Sequence, residues 1–183
     1  VEITTPSRRA ESVEAAPGIV TVITRQEIEG YDARNLGEVL DRVTSAIFIS
    51  ANVLTDNQLV MRRQSLTPYD THILILLDGR PLRDPIAGGL NNAVYAVFPV
   101  DAIEYVEVVR GPGSVLYGSN AYAGVINIHT RRHAFEGSEG DVAVTAGAWG
   151  GFGQSGVVAS RRGEAHVLIA GGRYRDDGPR YRF

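Results

Sequence analysis

A stripe of apolar residues with the period of an α-helix lies in the first quarter of the chain. Within residues 35–43, apolar side chains recur at i, i+3, i+4 and i+7, namely at Leu36, Val39, Leu40 and Val43. This spacing puts them on one face, which predicts a helix that packs that face into a core. Earlier in the chain, Thr24 and Glu27 have the spacing of a capping box, which predicts another short helix that ends by Gly30.

Other apolar runs have the length or the period of β-strands. Residues 103–109 (IEYVEVV) alternate between apolar and polar, and short apolar runs occupy residues 18–23, 59–62, 71–77 and 124–128. Runs that contain proline are predicted to be loops or edge strands, because proline cannot donate to a central ladder. These patterns predict a compact mixed α/β domain over residues 18–130, with a sheet of about four strands and two short helices on one side.

The last 51 residues have a different composition and a different pattern. They hold 11 of the 21 glycines, although they make up under a third of the length. Residues 141–149, 156–161 and 165–174 are predicted to form antiparallel strands joined by hairpins, with a turn at Gly163. We therefore expect a boundary between two regions near Arg132.

Charge and composition exclude several classes of function. Residues 1–132 carry 12 Arg and 15 acidic residues, and residues 133–183 carry 6 of each. Neither region offers the basic surface of a nucleic-acid-binding protein, so no nucleic-acid partner is expected. The chain contains no cysteine and no lysine, which excludes disulfides, zinc–thiolate sites, thiol catalysis and Schiff-base lysines. Its longest apolar run, residues 93–98, is far below the ~20 residues of a membrane-spanning helix.

Three partial motifs compete with a purely structural interpretation. Residues 151–156 fit G-x-G-x-x-G, but the segment after them is too short for a βαβ unit of ~30 residues, which favours a glycine-rich hairpin. Residues 113–120 lack the lysine of a P-loop. His129 and His133 would lie ~13 Å apart on a strand, so we interpret them as solvated turn histidines. We expect no cofactor, no metal site and no enzyme activity.

The most specific string in the chain is residues 110–130, RGPGSVLYGSNAYAGVINIHT, in which a glycine-rich turn separates two strand-like runs. This string resembles the closing motif of the plug domain of TonB-dependent outer-membrane receptors. Residues 19–25 (IVTVITR) and 73–82 (ILILLDGRPL) are similar to further plug segments in the family's order, so the resemblance covers roughly residues 1–132. The structural turn corresponds to Gly111, Pro112, Gly113 and Gly118.

The resemblance implies an α+β plug, with a mixed four-stranded sheet and short helices, followed by the beginning of an antiparallel transmembrane β-barrel. Residues 1–17 then form an N-terminal segment, residues 18–132 the plug, and residues 133–183 the first strands of the barrel, about three in number. So few strands cannot close and leave open edges, which favours a fragment of a longer receptor. The alternative is a soluble or split-receptor binding module built on the plug fold.

In the resembled family, the plug blocks the barrel lumen until an energised periplasmic partner pulls on an N-terminal segment, the TonB box. The resemblance therefore implies a place in the bacterial outer membrane, with the plug inside the lumen and the N-terminus in the periplasm. The implied partners are TonB with its ExbB/ExbD energising complex, outer-membrane lipid, and a metal-chelate or cobalamin-like ligand. Barrel strands turn apolar residues outward, so we expect Val142 and Val144 to be buried against lipid, detergent or another protein surface.

The resemblance also indicates candidate site residues. The end of the TonB box corresponds to Val1, Glu2, Ile3, Thr4 and Thr5. Arg62 and Arg110 resemble the plug arginines that meet barrel glutamates, a bidentate role that suits guanidinium. Three loops, residues 50–57, 65–70 and 83–92, are expected to face outward and contact the substrate. The candidate contacts are Tyr69, Arg83, Asn91 and Asn92.

Overall fold

The computed structural model describes residues 2–3, 11–12, 19–43, 46–51, 56–61, 72–82, 91–111, 117, 120–132 and 136–177. The chain divides into two compact units. The first unit is built from Val1–Phe98 and Ile103–Thr130, and the second from Pro99–Ala102 and Arg131–Phe183.

The first unit is built around one mixed sheet. Its strands are β1 (Glu2–Ile3), β2 (Glu11–Ser12), β3 (Ile19–Thr24), β4 (Ala46–Ala51), β5 (Asp56–Met61), β6 (Ile73–Leu77), β7 (Arg80–Leu82), β8 (Ile103–Arg110) and β9 (Gly124–Thr130), and its helices are α1 (Arg25–Gly30), α2 (Leu36–Leu40) and α3 (Asn91–Val97). Five strands form the main sheet, in the order β3-β8-β9-β6-β7. The pair β6–β9 is parallel and the other pairs are antiparallel. The predicted mixed fold with short helices is confirmed.

The main sheet differs from the prediction in its strand list. It has five strands because β7 adds to it as an edge strand, a position that tolerates Pro81. The strand predicted at residues 59–62 corresponds to β5, which pairs with β4 in a separate antiparallel hairpin. The strand β4 is not among the predicted strands, because a short apolar run such as AIFI does not by itself distinguish a strand from a buried helix segment. Part of the predicted loop at residues 50–57 therefore lies in β4 and β5, and residues 52–55 lie outside the described residues.

The helix starts agree with the prediction, and one helix end does not. Thr24 caps α1 in a complete capping box, in which its Oγ1 accepts from the Glu27 N–H at 3.4 Å and Glu27 Oε2 accepts from the Thr24 N–H at 2.8 Å. The helix α2 ends earlier than residue 43, because the chain closes a tighter turn in which the Val43 N–H donates to the Leu40 carbonyl at 3.0 Å. All members of the predicted stripe are buried, namely Leu36, Val39, Leu40 and Val43.

The helix α3 occupies a place where the sequence indicates an outward loop and a short apolar run. Its first residue, Asn91, is buried and donates from Nδ2 to the Ile73 carbonyl at 2.7 Å, and Tyr95 one turn later is fully buried. Two buried residues are too few to show a helical period in the sequence. This helix is therefore positioned by contacts that are distant in sequence.

The second unit is an antiparallel meander. Its strands are β10 (Gly137–Ala146), β11 (Phe152–Arg162) and β12 (Ala165–Arg175), with β11 in the middle. The predicted strands and hairpins are confirmed, and the turns contain Gly150 at φ +71° and Gly163 at φ +61°, a conformation that favours glycine. The G-x-G-x-x-G match at residues 151–156 runs into β11 and not into a helix, which excludes the dinucleotide-binding interpretation.

Among the helices in the described part of the chain, none has the length and apolar character needed to cross a membrane.

Candidate functional site

One end of the main sheet brings several candidate residues together. Ile73, Gly124 and Arg110 share one register row across β6, β9 and β8. Asn91 reaches the same end of the sheet through its hydrogen bond to the Ile73 carbonyl. Gly111 follows Arg110 directly, so the closing turn of the sheet starts from this row. We call these residues the Arg110 end of the sheet.

The Arg110 side chain is half-buried and lies across the neighbouring strand. Its Nη2 donates to Thr21 Oγ1 in β3 at 2.8 Å. A guanidinium has five N–H donors in a rigid fork, so the bond at Nη2 restricts where the remaining donors can point. The Arg110 side chain is therefore oriented by a residue of the first unit itself.

The closing turn is held at both of its ends by backbone hydrogen bonds. The Gly111 N–H donates to the Ala123 carbonyl at 3.0 Å, and the Ala123 N–H donates to the His72 carbonyl at 2.8 Å. Gly111 is buried with φ +136°, a conformation that L side chains rarely adopt. At Gly124, an added Cβ would lie 2.7 Å from the Val109 carbonyl oxygen and 2.8 Å from Met61 Sδ. The two glycines thus serve backbone geometry and close packing.

The candidate ligand contacts divide into described and undescribed residues. Asn91 is 4% exposed and its amide is engaged with the backbone of β6. It lies in α3 and not in a loop. Because its side chain is buried, it offers a ligand little surface. Asn92 also lies in α3, and only its backbone is described. The candidate residues outside the described part of the chain are Arg62, Tyr69, Arg83, Pro112, Gly113 and Gly118.

The N-terminal candidate segment is described at two residues. Glu2 and Ile3 form β1, which pairs with β2 in the register Glu2↔Ser12 and Ile3↔Glu11. Val1, Thr4 and Thr5 lie outside the described residues. The backbone at Glu2 and Ile3 is therefore extended and already engaged in strand pairing.

A polar cluster at the opposite end of the sheet was missed by the sequence reasoning. The two-residue turn between β6 and β7 consists of Asp78 at φ +48° and Gly79 at φ +78°, as a tight hairpin requires. Asp78 Oδ1 accepts from the Thr130 N–H at 3.0 Å and Oδ2 from Thr130 Oγ1 at 2.7 Å. The Gly79 N–H donates to Asn127 Oδ1 at 3.0 Å. The turn is thus fastened to the last residues of β9.

The interpretation of His129 as a solvated turn histidine is wrong. His129 lies in β9, its side chain is 16% exposed, and its ring stacks on Tyr105 with 4.1 Å between ring centroids. Its Nε2 is 3.2 Å from Glu107 Oε1, and Glu107 is fully buried. Glu107 lies between Val106 and Val108, and Asn127 lies between Ile126 and Ile128, in runs of buried apolar residues, and buried polar groups need hydrogen-bond partners. Such a polar residue within an apolar run is the sequence signal for the cluster. His133 lies outside the described residues.

Within the described ranges, no group of three or more His, Asp or Glu side chains is arranged to hold a metal ion.

Residues 12–125 match the model of the TonB-dependent receptor plug domain. The chain therefore belongs to this family, as the motif at residues 110–130 indicates. The vitamin B12 transporter BtuB of Photobacterium profundum is 29% identical over 167 residues, and that of Vibrio vulnificus is 36% identical over 146 residues. These alignments cover 90% and 80% of the chain but only 26% and 22% of the two relatives. The chain thus spans about a quarter of the length of the curated relatives it matches.

Solved outer-membrane receptors share the fold. The alcaligin receptor FauA of Bordetella pertussis gives a TM-score of 0.74 at 18% identity, covering 96% of this chain and 29% of the receptor. The pyoverdine receptor FpvA of Pseudomonas aeruginosa PAO1 gives a TM-score of 0.71 at 20% identity, covering 94% of this chain and 24% of the receptor. These relatives and neighbours are named as transporters and receptors.

Proposed function

We propose that residues 18–132 are the plug of a TonB-dependent outer-membrane transporter for a scarce nutrient, such as an iron–siderophore complex or cobalamin, and that residues 133–183 begin its barrel. The family match over residues 12–125 carries the proposal. Relatives named as vitamin B12 transporters support a cobalamin-like ligand, and neighbours named as siderophore receptors support a metal chelate. The protein would act as a transporter and not as an enzyme.

The second unit supports the barrel assignment through the sidedness of its meander. Across an antiparallel ladder, paired residues share a face. Val142, Gly156 and Gly171 form one row, and Gly140, Val158 and Ile169 form the next. Val142, Val144, Val158 and Ile169 are all exposed on this face. The row of Val144 also carries Gln154 and Arg173, so the face is mainly but not wholly apolar. A mainly apolar exposed face on a strand meander suits contact with lipid, and the outer edges of β10 and β12 suit pairing with further strands.

The plug would be operated from the periplasm. We place the N-terminus there, with TonB and the ExbB/ExbD complex as the energising partner of the segment Val1, Glu2, Ile3, Thr4 and Thr5. Strand addition recognises extended backbone, and β1 is extended at Glu2 and Ile3. Partner binding would either add to β1 at its other edge or displace β2.

The two arginines and the candidate ligand contacts would have different roles. Arg62 and Arg110 would hold the plug against barrel carboxylates, and the bond of Arg110 to Thr21 presets its orientation. Tyr69, Arg83, Asn91 and Asn92 would lie near the ligand, with Asn91 acting by fixing the start of α3 to β6 and not by direct exposure.

The test of this function is uptake in cells that lack their own receptor and express the receptor that contains this chain. The probes are radiolabelled cobalamin, ferric enterobactin and ferric pyoverdine. We expect uptake of one probe class, with loss of that uptake when TonB is deleted. Probe uptake that continues without TonB, or no binding of any probe by the purified receptor, would contradict the proposal and favour a binding module without a transport role.

Coupling to TonB is tested by Ile3→Pro in the same receptor. Proline removes a backbone donor and fixes φ, so strand addition at this position should fail. We expect uptake to fall up to about tenfold, the effect of losing one backbone hydrogen bond of about 0.5–1.5 kcal/mol, while surface binding of the probe persists. Ile3→Ala keeps the N–H and is the matched control. Unchanged uptake in Ile3→Pro cells that still need TonB would place the coupling segment elsewhere.

A further inference from the structure

A carboxyl group lies in the centre of the first unit, where an ion would be costly. Glu107 is fully buried in β8, directly opposite Asn127 of β9, which is 1% exposed. The residue beside Glu107 in β3 is Val22, and the residue beside Asn127 in β6 is Leu76. Burial of an ionised carboxylate among such neighbours is strongly unfavourable unless it is paired and hydrogen-bonded.

A chain of hydrogen bonds leads from this carboxyl to the β6–β7 turn. The Gly79 N–H donates to Asn127 Oδ1 at 3.0 Å, and Asn127 Nδ2 lies 2.9 Å from His129 Nε2. His129 Nε2 is in turn 3.2 Å from Glu107 Oε1. We call these four residues, Gly79, Asn127, His129 and Glu107, the turn latch.

Donor and acceptor roles along the turn latch follow from the backbone. A backbone N–H can only donate, so Gly79 requires the carbonyl oxygen of the Asn127 amide to face it. The amide nitrogen of Asn127 then faces His129, and it too can only donate. His129 Nε2 must therefore accept, which means that it carries no proton and that the ring is neutral with its proton on Nδ1.

This assignment determines the state of Glu107. A carboxylate beside an unprotonated Nε2 would set two lone pairs against each other at 3.2 Å. A carboxylic acid supplies the missing proton as an O–H donor. The single lone pair of His129 Nε2 is then shared by two donors, the Asn127 N–H at 2.9 Å and the Glu107 O–H at the longer distance of 3.2 Å. In the reverse arrangement, an imidazolium that donates to a carboxylate, Nε2 would have no lone pair to accept the Asn127 N–H that lies 2.9 Å away. This arrangement becomes possible only if the amide turns over, and the amide would then lose its bond to Gly79.

We propose that Glu107 is held as an uncharged carboxylic acid that donates to neutral His129, and that this proton-bridged pair, through Asn127, fastens the Asp78–Gly79 turn to the sheet. Release of the turn and movement of the proton from Glu107 to His129 are then coupled, since each state of the pair fits only one orientation of the Asn127 amide. Among the described residues, Tyr105 stacks on His129, and Asp78, the carboxyl of the turn itself, is engaged with Thr130. The inference depends on the geometry of the first unit and not on the transport proposal.

The protonation half of the proposal is tested by infrared difference spectroscopy of the intact receptor at neutral pH. Subtracting the spectrum of Glu107→Gln from that of the unsubstituted protein should leave the C=O band of one buried carboxylic acid. Glu104→Gln is the matched control, because Glu104 is exposed on the same strand and should contribute a carboxylate difference instead. A carboxylate band in the Glu107 difference spectrum would overturn the proposal.

The fastening half is tested by hydrogen exchange, followed by mass spectrometry, at the peptide that contains Gly79. The glutamine amide of Glu107→Gln replaces the O–H donor, so protection should stay within about twofold of the unsubstituted protein, whereas Glu107→Ala should lose about tenfold or more. Equal loss in both variants would show that Glu107 acts as an anion. Full protection in Glu107→Ala would show that the turn does not depend on the pair. Transport by the folded receptor is scored separately, so failure of this inference is distinct from failure of the proposed function.

Discussion

The strands of the first unit are largely buried, whereas those of the second unit are largely exposed to solvent. In β6, Ile73, Leu74, Ile75 and Leu76 are all buried, although successive side chains point to opposite faces. In β10, every residue is exposed, including Val142 at 86%. The main sheet of the first unit is thus covered on both faces by its own chain, whereas the apolar face of the meander has no cover within the described residues of its unit. The first unit carries its own solvent-free core, whereas the second unit leaves the apolar side chains of this face exposed.

A cavity in the core of the first unit should lower its stability whether or not detergent is present. Leu76→Ala removes a fully buried side chain in β6, and such substitutions cost about 2–5 kcal/mol because the cavity refills only partly. We expect this loss in the urea unfolding of the unit, with or without detergent. Val97→Ala, at a position 75% exposed, is the control and should change little. An unchanged unfolding midpoint for Leu76→Ala would mean that the first unit is not stabilised by this core.

A charge on the apolar face of the meander should impair folding only where lipid or detergent is present. Val142→Arg places a charge on the apolar face, and in a lipid-facing barrel position such a charge costs about 2–4 kcal/mol near the midplane. We expect reduced folding of the receptor into lipid vesicles. Ala143→Arg is the matched control, because Ala143 is the next residue in β10 and points to the opposite face. Equal effects of the two substitutions would contradict a lipid-facing assignment of Val142.

The contrast also explains which elements the sequence could predict. The capping box at Thr24 and the stripe Leu36–Leu40 are local patterns, and local hydrogen bonding and burial realise them directly. Helix α3 depends on Asn91 reaching Ile73, a contact between segments far apart in sequence. No periodicity reports such a contact, so the sequence pattern places the first two residues of α3 in the predicted loop at residues 83–92 and shows the rest only as a short apolar run.

The candidate site shows the same limit. Arg110 and Gly111 were found because the motif at residues 110–130 places them, and the φ of +136° at Gly111 gives the physical reason for its glycine. The turn latch was missed because the partners come from other segments: His129 on the paired strand β9 for Glu107, and Gly79 in the β6–β7 turn for Asn127. A buried polar residue indicates that it has a hydrogen-bond partner, but the identity of that partner depends on strand order and register.

The smallest predicted effect concerns the local capping of α1 in the first unit. Hydrogen bonds from the backbone N–H of Thr24, and then from its hydroxyl, hold the pKa of Glu27 below its ordinary value of 4.5. A lowered folded-state pKa means that the contribution to stability is present above the unfolded-state pKa and is lost as pH falls through the folded-state value. Glu27 is exposed, so salt should weaken the effect.

Two variants separate the cap from the charge. Thr24→Ala removes the cap and should cost about 1 kcal/mol at neutral pH, measured by urea unfolding of the first unit. Glu27→Gln keeps a side chain that can accept from the Thr24 N–H but does not titrate, so it should retain most of the neutral-pH stability while losing the acid-dependent part. If Glu27→Gln were instead as destabilising as Thr24→Ala at neutral pH, the carboxylate charge at the helix N-terminus, and not the reciprocal hydrogen bonds, would be the main source of the stabilisation.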